Sequence, residues 1–305
     1  MRRYRPYVLV LMAFAASSIT QSIQAAQLEQ DGLHVRVGAY NVSFFSEASA
    51  NEIGTMLNSF NLDVVGLTEV PRAPATGDLA AAMQANHFVA GTISSGQSDD
   101  KLKSIVSHSS LSPMSEIDLS AAQGGFVGGG ESATHANTQI AGIDISIYCL
   151  HISDGVLEPM QKLLSDPGFV SDDADAILVI GDFNAKLTDP QMQLLMDQGF
   201  RPSWSDLNID ISHLKTYDFI PGRGPNGQDR DEGVIDHIMF KGQGILAVEG
   251  GIVPAMTAQG NPMSDHAMIW AELVITTIPE PSNLTLIGIG SIGLLRTTRR
   301  RRFMT

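Results

Sequence analysis

Hydrophobic and polar positions along this chain repeat with two periods, and the order in which these periods follow one another predicts its architecture. From His34 to Tyr40 (HVRVGAY) apolar side chains occupy every second position, the signature of a half-buried strand. From Ala48 to Phe60 they fall at Ile53, Met56, Leu57 and Phe60, which is helical spacing. Asp63 to Thr68 (DVVGLT) reads as a buried strand, Leu79 to Ala85 as a short helix, and Lys103 to Ser107 and Gln139 to Leu150 as further strands. Helices are predicted over Leu157 to Leu164 and Gln191 to Gln198. Ile177 to Asn184 (ILVIGDFN) is an apolar, β-branched strand that stops at Gly-Asp-Phe-Asn, and Ile235 to Phe240 and Ala267 to Ile275 close the sheet. No repeat and no linker divides the body, so one α/β domain over 27–278, built on two packed sheets, is expected. Two Gly-rich stretches, 123–131 and 222–233, read as loops.

The two ends follow other rules. Arg2, Arg3 and Arg5, an apolar core from Val8 to Ala16 and the small pair Ala25-Ala26 have the layout of a secretory signal peptide over 1–26. Its apolar core is far shorter than the roughly 20 residues a spanning helix needs. At the other end, Pro279-Glu280-Pro281-Ser282 leads into apolar Leu284 to Leu295 and then into Arg296 and Arg299 to Arg302. An apolar run followed by a basic stop would hold the tail in the inner membrane during export. Residues 279–305 resemble the PEP-CTERM sorting tail of Gram-negative bacteria that make exopolysaccharide. The resemblance implies processing by an exosortase and delivery to the cell surface, the extracellular matrix or the medium.

Setting these ends aside sharpens the charge. Of 19 Lys and Arg, three lie in the leader and five in the tail, and of 33 Asp and Glu only Glu280 is removed, so the body is near −21. Such a field repels polyanions unless bound cations or a local basic patch reverse it, and it serves solubility as well. Cys149 is the only cysteine, which excludes an internal disulfide, and its apolar surroundings make it a core residue. No stable protein partner is predicted.

Polar residues recur where strands end: Asn41, Glu69, His151, Asp182 with Asn184, Asp236, and Asp265-His266. Singly, each is explained by turn chemistry or a satisfied core histidine. As a set they suit hard-cation chemistry. Carboxylates such as Glu69 and Asp265 prefer Mg²⁺, with Mn²⁺ or Ca²⁺ also possible, whereas the thiolates and His-rich clusters that favour Zn²⁺ are missing. A histidine held by a carboxylate works near neutral pH as acid or base.

In chain order, Arg36 to Val42 (RVGAYNV), Asp63 to Val70 (DVVGLTEV), Gly181-Asp182-Phe183-Asn184, Ile235-Asp236-His237-Ile238 and Ser264-Asp265-His266 resemble the motif series of the endonuclease/exonuclease/phosphatase superfamily. The resemblance implies an α/β four-layer sandwich, two mixed β-sheets packed face to face and flanked by helices, as in the deoxyribonucleases. It implies a Mg²⁺-dependent phosphoesterase. Glu69 would be the principal metal ligand, with Asn41 and Asp265 lining the same metal site. Asp182 would orient or deprotonate the attacking water, and Asn184 would hold the water and the phosphate. His266, paired with Asp236, would bind the phosphate or act as general base, and His151 matches the catalytic histidine of the deoxyribonuclease and sphingomyelinase branches. Thr68 replaces the usual Gln before the glutamate, and His108 replaces a common Arg. Residues 128–140 lack another Arg, which weakens the phosphate contacts typical of the nucleases; His108 and His135 are candidate substitutes, although both read more simply as ordinary surface residues.

The expected function is hydrolysis of a phosphodiester, with extracellular DNA as the candidate substrate. The alternatives are a phospholipid or small-molecule phosphoester, or a matrix protein that keeps the fold without activity. With Trp270 predicted buried, the sequence shows no exposed aromatic hairpin of the kind that sphingomyelinase-type enzymes present to membranes.

Overall fold

The computed structural model describes residues 32–45, 48–93, 101–123, 130–219 and 233–276. The predicted leader and tail, and most of both Gly-rich loops, lie outside these residues. None of the described helices is long and apolar enough to cross a membrane.

The first sheet contains β1 (Leu33–Asn41), β2 (Val64–Val70), β3 (His87–Ala90), β4 (Leu102–Ser107), β11 (Ile245–Val253) and β12 (Met268–Ile275), in the order β11-β12-β1-β2-β4-β3. The second contains β5 (Ser115–Asp118), β6 (Ser132–Ile140), β7 (Ile143–His151), β8 (Ala176–Asp182), β9 (Arg201–Pro202) and β10 (Asp236–Lys241), in the order β5-β6-β7-β8-β10-β9. Both sheets are mixed. In each, the central pair is parallel, β1 with β2 and β7 with β8, while the outer pairings are antiparallel.

The layering follows from which face of each strand is apolar. Val35, Val37, Ala39, Val64 and Ile105 of the first sheet meet Ile145, Ile147, Cys149, Leu178, Ile180 and Ile238 of the second in one buried cluster. Cys149 is fully buried there, and burial pushes its thiol up to about 12, as a core residue requires. The opposite face of the first sheet is covered by α1 (Ala50–Asn58) and α2 (Ala73–Ala82), whose Ile53, Leu57 and Leu79 pack on Val65, Leu67 and Val106. On the second sheet α3 (Glu158–Ser165), α4 (Pro167–Val170) and α5 (Pro190–Asp197) place Met160, Leu163, Phe169, Met192 and Leu195 against Leu150, Val179 and Met239. The result is helices, sheet, sheet, helices, the four layers expected. A last short helix, α6 (Ser203–Asp206), buries Trp204. The start of α1 is fixed by a capping box: Ser49 Oγ accepts from Glu52 N, and the Glu52 carboxylate accepts from Ser49 N.

Four local expectations are corrected. Gln139 to Leu150 is not one strand. Ala141 (φ +50°) and Gly142 (φ +87°) turn the chain between β6 and β7. α2 begins six residues before Leu79, with Pro74 in its first turn, where a missing N–H costs nothing. The last two predicted strands close different sheets, β10 the second and β12 the first. Trp270 is only half-buried, because it stands on the outer face of β12 under the Arg36 guanidinium (5.6 Å to the ring) and beside Phe60.

Candidate functional site

Topology gathers the polar strand ends at one edge. Parallel β1 and β2 bring Asn41 and Thr68 into register, and parallel β7 and β8 bring His151 opposite Asp182. Antiparallel β10 starts at this edge, with Asp236 opposite Asp182. Antiparallel β12 runs away from it, so the preceding Ser264-Asp265-His266 turn lies beside the end of β1.

Each side chain is aimed by a local device. On β2 the register slips between Leu67 and Val70, so Thr68 and Glu69 oppose the single residue Lys103 of β4. Glu69 takes φ +56° in this bulge. A non-glycine residue in that region is strained by about 1–2 kcal/mol, and such strain concentrates at functional positions. In Asp182-Phe183-Asn184, Asn184 N donates to Asp182 Oδ1 (2.9 Å), which closes an Asx turn, and Asn184 sits at φ +45°, tolerable for Asn. The Asn184 side chain donates to Ile152 O (2.9 Å). Ser264 Oγ donates to Asn41 O (2.7 Å) and accepts from His266 N (3.1 Å), tying the Asp-His turn to β1. Ile235 N and Asp236 N both donate to Thr216 Oγ1 (3.0 and 3.1 Å), which fixes the start of β10.

The assembled cluster is compact and deep. Asn41, Asp182 and Asp236 are 1% exposed, His151 2% and His266 5%. His266 Nδ1 lies 2.9 Å from Asp236 Oδ2, and its Nε2 lies 3.6 Å from Asp182 Oδ2. Asn41 Nδ2 donates to Asp182 Oδ2 (2.9 Å), and Asn41 Oδ1 accepts from Ser43 N (3.0 Å). His151 Nε2 stands 3.5 Å from Asp182 Oδ2 and 3.8 Å from Glu69 Oε1. Burial pushes the Asp182 carboxyl up, and the nearby Asp236 charge pushes it further. Burial alone would lower the His266 imidazolium, but the Asp236 and Asp182 carboxylates outweigh it and raise it. Burial drives His151 well below the usual histidine range, with Lys103 and Lys101 acting the same way. An imidazole clamped between two carboxylates, next to a neutral imidazole, equips the cluster to hold and move a proton.

The sequence profile of the endonuclease/exonuclease/phosphatase family matches residues 38–266, about three quarters of the chain. The chain belongs to that family. No curated protein sequence matches it. Solved structures extend the likeness of fold. An endonuclease/exonuclease/phosphatase family protein from Bacteroides thetaiotaomicron aligns at 14% identity and TM-score 0.61 over 81% of this chain and 100% of its own. A mannosyl-6-phosphatase of the same organism aligns at 14% and 0.60 over 79% and 99%. D. rerio TDP2, complexed with a single-strand DNA product, aligns at 14% and 0.59 over 79% and 98%.

All eight predicted site residues of this family member lie at the same edge. Asp265 is half-buried in the turn before His266, with its carboxylate 3.4 Å from Ser264 Oγ. Neither proposed substitute for arginine reaches the cluster. His108 follows Ser107, which pairs with Val64 at the opposite end of β2 from Glu69. His135 is stacked on Tyr148 at 4.2 Å and pairs with Ser115, on the helix-covered side of the second sheet. The cation at Glu69 is instead Lys101, with Nζ 3.0 Å from Oε1, just before β4 where the hydrophobic pattern gives no signal. Two other contributors were also missed: Thr216, which positions Asp236, and Tyr217, whose ring lies 4.8 Å from that of His266. Both sit in an irregular segment.

The donors fit a hard divalent cation. The carboxylates of Glu69, Asp182, Asp236 and Asp265 share this edge with the Asn41 amide, Asp236 Oδ1 is buried with no hydrogen-bond partner among the described residues, and Asp182, Asp236 and His266 present ligand atoms all within 4.8 Å of one another, a spacing able to hold a metal ion.

Proposed function

We propose that this protein is an exported, Mg²⁺-dependent phosphoesterase that hydrolyses phosphodiesters, with extracellular DNA the first substrate to test. The observation that carries the reading is the buried array Asn41–Asp182–His266–Asp236 beside Glu69 and His151. Glu69, Asn41 and Asp265 would hold the cation, as the family resemblance implies; the Asp182–Asp236–His266 group is also spaced to take an ion, at the loss of the His266 Nδ1–Asp236 hydrogen bond. When bound, the cation neutralises charge developing on the phosphoryl group. Asp182, held by the Asn41 amide and the Asn184 backbone, orients the attacking water and takes its proton. His266, oriented through Nδ1, presents Nε2 to a phosphate oxygen. His151 offers a neutral imidazole on the side of Glu69, and Asn184 completes the turn that keeps Asp182 in place.

Export rests on the basic–apolar–small leader and on the Pro-Glu-Pro, apolar, basic tail. An exosortase would then act on that tail. A small phosphoester is the second reading, favoured by the depth of the cluster and the acidity of the body, both unfavourable to a polyanion.

Nicking of supercoiled plasmid with Mg²⁺ or Mn²⁺, run beside hydrolysis of bis-p-nitrophenyl phosphate and p-nitrophenyl phosphate, tests the reading. Metal-dependent nicking that is lost in His266→Ala supports the nuclease. Turnover of the small esters alone moves the substrate to the second reading. No turnover of any of the three, with the protein folded, refutes the proposal.

A further inference from the structure

Glu69 carries a charged partner on the solvent side of the cluster. Its Oε1 accepts from Lys101 Nζ at 3.0 Å and lies 3.8 Å from His151 Nε2. The Lys101 side chain keeps 30% of its exposure against 12% for Glu69, so the pair stands on the solvent side of residues that are themselves almost wholly buried. The neighbouring lysine is placed quite differently. Lys103 is fully buried, and its ammonium donates to Ile93 O (2.8 Å) and Gly130 O (2.7 Å), which locks it into the backbone on two sides. Of the two lysines flanking the Glu69 bulge, only Lys101 combines a contact at the reactive edge with partial exposure to solvent.

The carboxylate it engages is the principal ligand proposed for the metal. A carboxylate oxygen already bonded to an ammonium gives a divalent cation a poor seat, because the two cations repel at ligand distance. A phosphate entering this edge meets Glu69, Asp182, Asp236 and Asp265, and needs a positive partner besides the metal. The four-carbon stem of lysine lets a compact point charge turn from one oxygen anion to another.

Resting on the metal-dependent reading above, we infer that Lys101 and the divalent cation are alternative partners of Glu69. Metal entry displaces the ammonium, and the released Lys101 becomes a ligand for the substrate phosphate. The lysine thereby links occupancy of the metal position to readiness for an anionic substrate.

The test uses the full chain, Mg²⁺ and inorganic phosphate. Calorimetry without phosphate should show Mg²⁺ binding roughly three- to fivefold tighter in Lys101→Met, the range expected from losing a partly exposed ion pair. Lys101→Arg, which keeps charge and reach, should stay near wild type. Amine acylation followed by mass spectrometry should show Lys101 modified faster when Mg²⁺ is added and slower again when phosphate follows, with Lys103 unreactive throughout. Phosphate binding to the Mg²⁺-loaded protein should weaken roughly tenfold in Lys101→Met, the scale of one charge-assisted contact. Lys101 acylation that ignores Mg²⁺, while Glu69→Gln shows that Mg²⁺ does bind at Glu69, overturns the inference and leaves the metal-dependent reading standing. Absence of Mg²⁺ binding in both wild type and Lys101→Met overturns the two together.

Discussion

Gly181→Ala is the substitution whose cost this fold fixes most directly. Gly181 sits in β8 immediately before Asp182, at φ +129°, where side chains are rarely accommodated. Parallel pairing sets it opposite Leu150, between the pairs Cys149–Ile180 and His151–Asp182. A methyl group there would overlap the Leu150 carbonyl oxygen outright and come within 3.2 Å of its nitrogen and 3.3 Å of its carbonyl carbon. These are backbone atoms of the neighbouring strand, so relief requires β7 and β8 to part by roughly 1 Å, as contact distances demand. The unfavourable backbone conformation costs about 1–3 kcal/mol, and the overpacking adds a similar amount. The expected loss is about 2–6 kcal/mol, or a fall in Tm of about 4–24 °C for a domain of this size. Because the displaced strands carry His151 and Asp182, activity should fall by about 10²-fold even where the protein is folded, the scale of a misplacement of 1 Å. Thermal melting by circular dichroism and turnover well below the melting range separate the two effects. A variant that melts within about 1 °C of wild type and keeps its turnover would refute the claim that this strand pair is rigid at the site.

Two further changes probe protonation. In Asp236→Asn the hydrogen bond to His266 loses its charge. The raised imidazolium then falls toward the ordinary range, since Asp236 is its largest favourable neighbour. The wild-type charge on His266 is present at neutral pH and lost as pH rises through the raised value. The variant should therefore lose activity at lower alkaline pH, with kcat down roughly 10–100-fold from the weakened bond, and an unmoved alkaline limb would exclude this role for Asp236. His237 titrates in the opposite sense: buried against Phe183 and donating from Nε2 to Ala185 O (2.8 Å), it is lowered to about 4 by burial. Between pH 6.5 and 4 the unfolded chain takes up a proton that the folded one refuses, so stability falls with pH by about 3 kcal/mol from this group alone. Urea denaturation of His237→Leu should be flatter than wild type across that window, and parallel curves would show that the acid sensitivity lies elsewhere.

Most of the architecture was legible because buried strands and amphipathic helices leave a periodic trace. β1, β2, β4, β8, β10 and β12 all coincide with apolar runs. The strands that escaped notice had physical reasons to do so. β3, β5 and β9 are short, and β11 carries Glu249-Gly250-Gly251 and a register shift, which blur its alternation. β6 (SATHANTQI) is mostly polar by sequence yet largely buried, because Ser132, Thr134 and Thr138 face other strands and loops rather than water. The site was legible for a related reason. A side chain at the end of an apolar strand is displayed by its context, so Asn41, Glu69, His151, Asp182, Asp236 and His266 stood out. Lys101, Thr216 and Tyr217 precede strands or lie between them, where neither period operates, and only the folded chain reveals what they touch.

The bulge at Thr68–Glu69 shows why these two kinds of residue belong to one design. An unbroken β2 would pair Glu69 directly across from β4 and point it along the regular alternation, toward either the core or the helix layer. The extra residue rotates it out of that alternation, at the expense of a left-handed glutamate, and leaves Lys103 opposite the gap. Lys103 cannot follow Glu69 outward, because Ile93 O and Gly130 O hold its ammonium. Burial lowers that ammonium to about 8, the response of a charge kept from water whose backbone partners only partly replace it. The ion pair to Glu69 therefore falls to Lys101, one step outside the strand and nearer to solvent. The same distortion that aims the proposed metal ligand thus separates a buried lysine, which braces the segments beside the site, from a partly exposed one paired with that ligand.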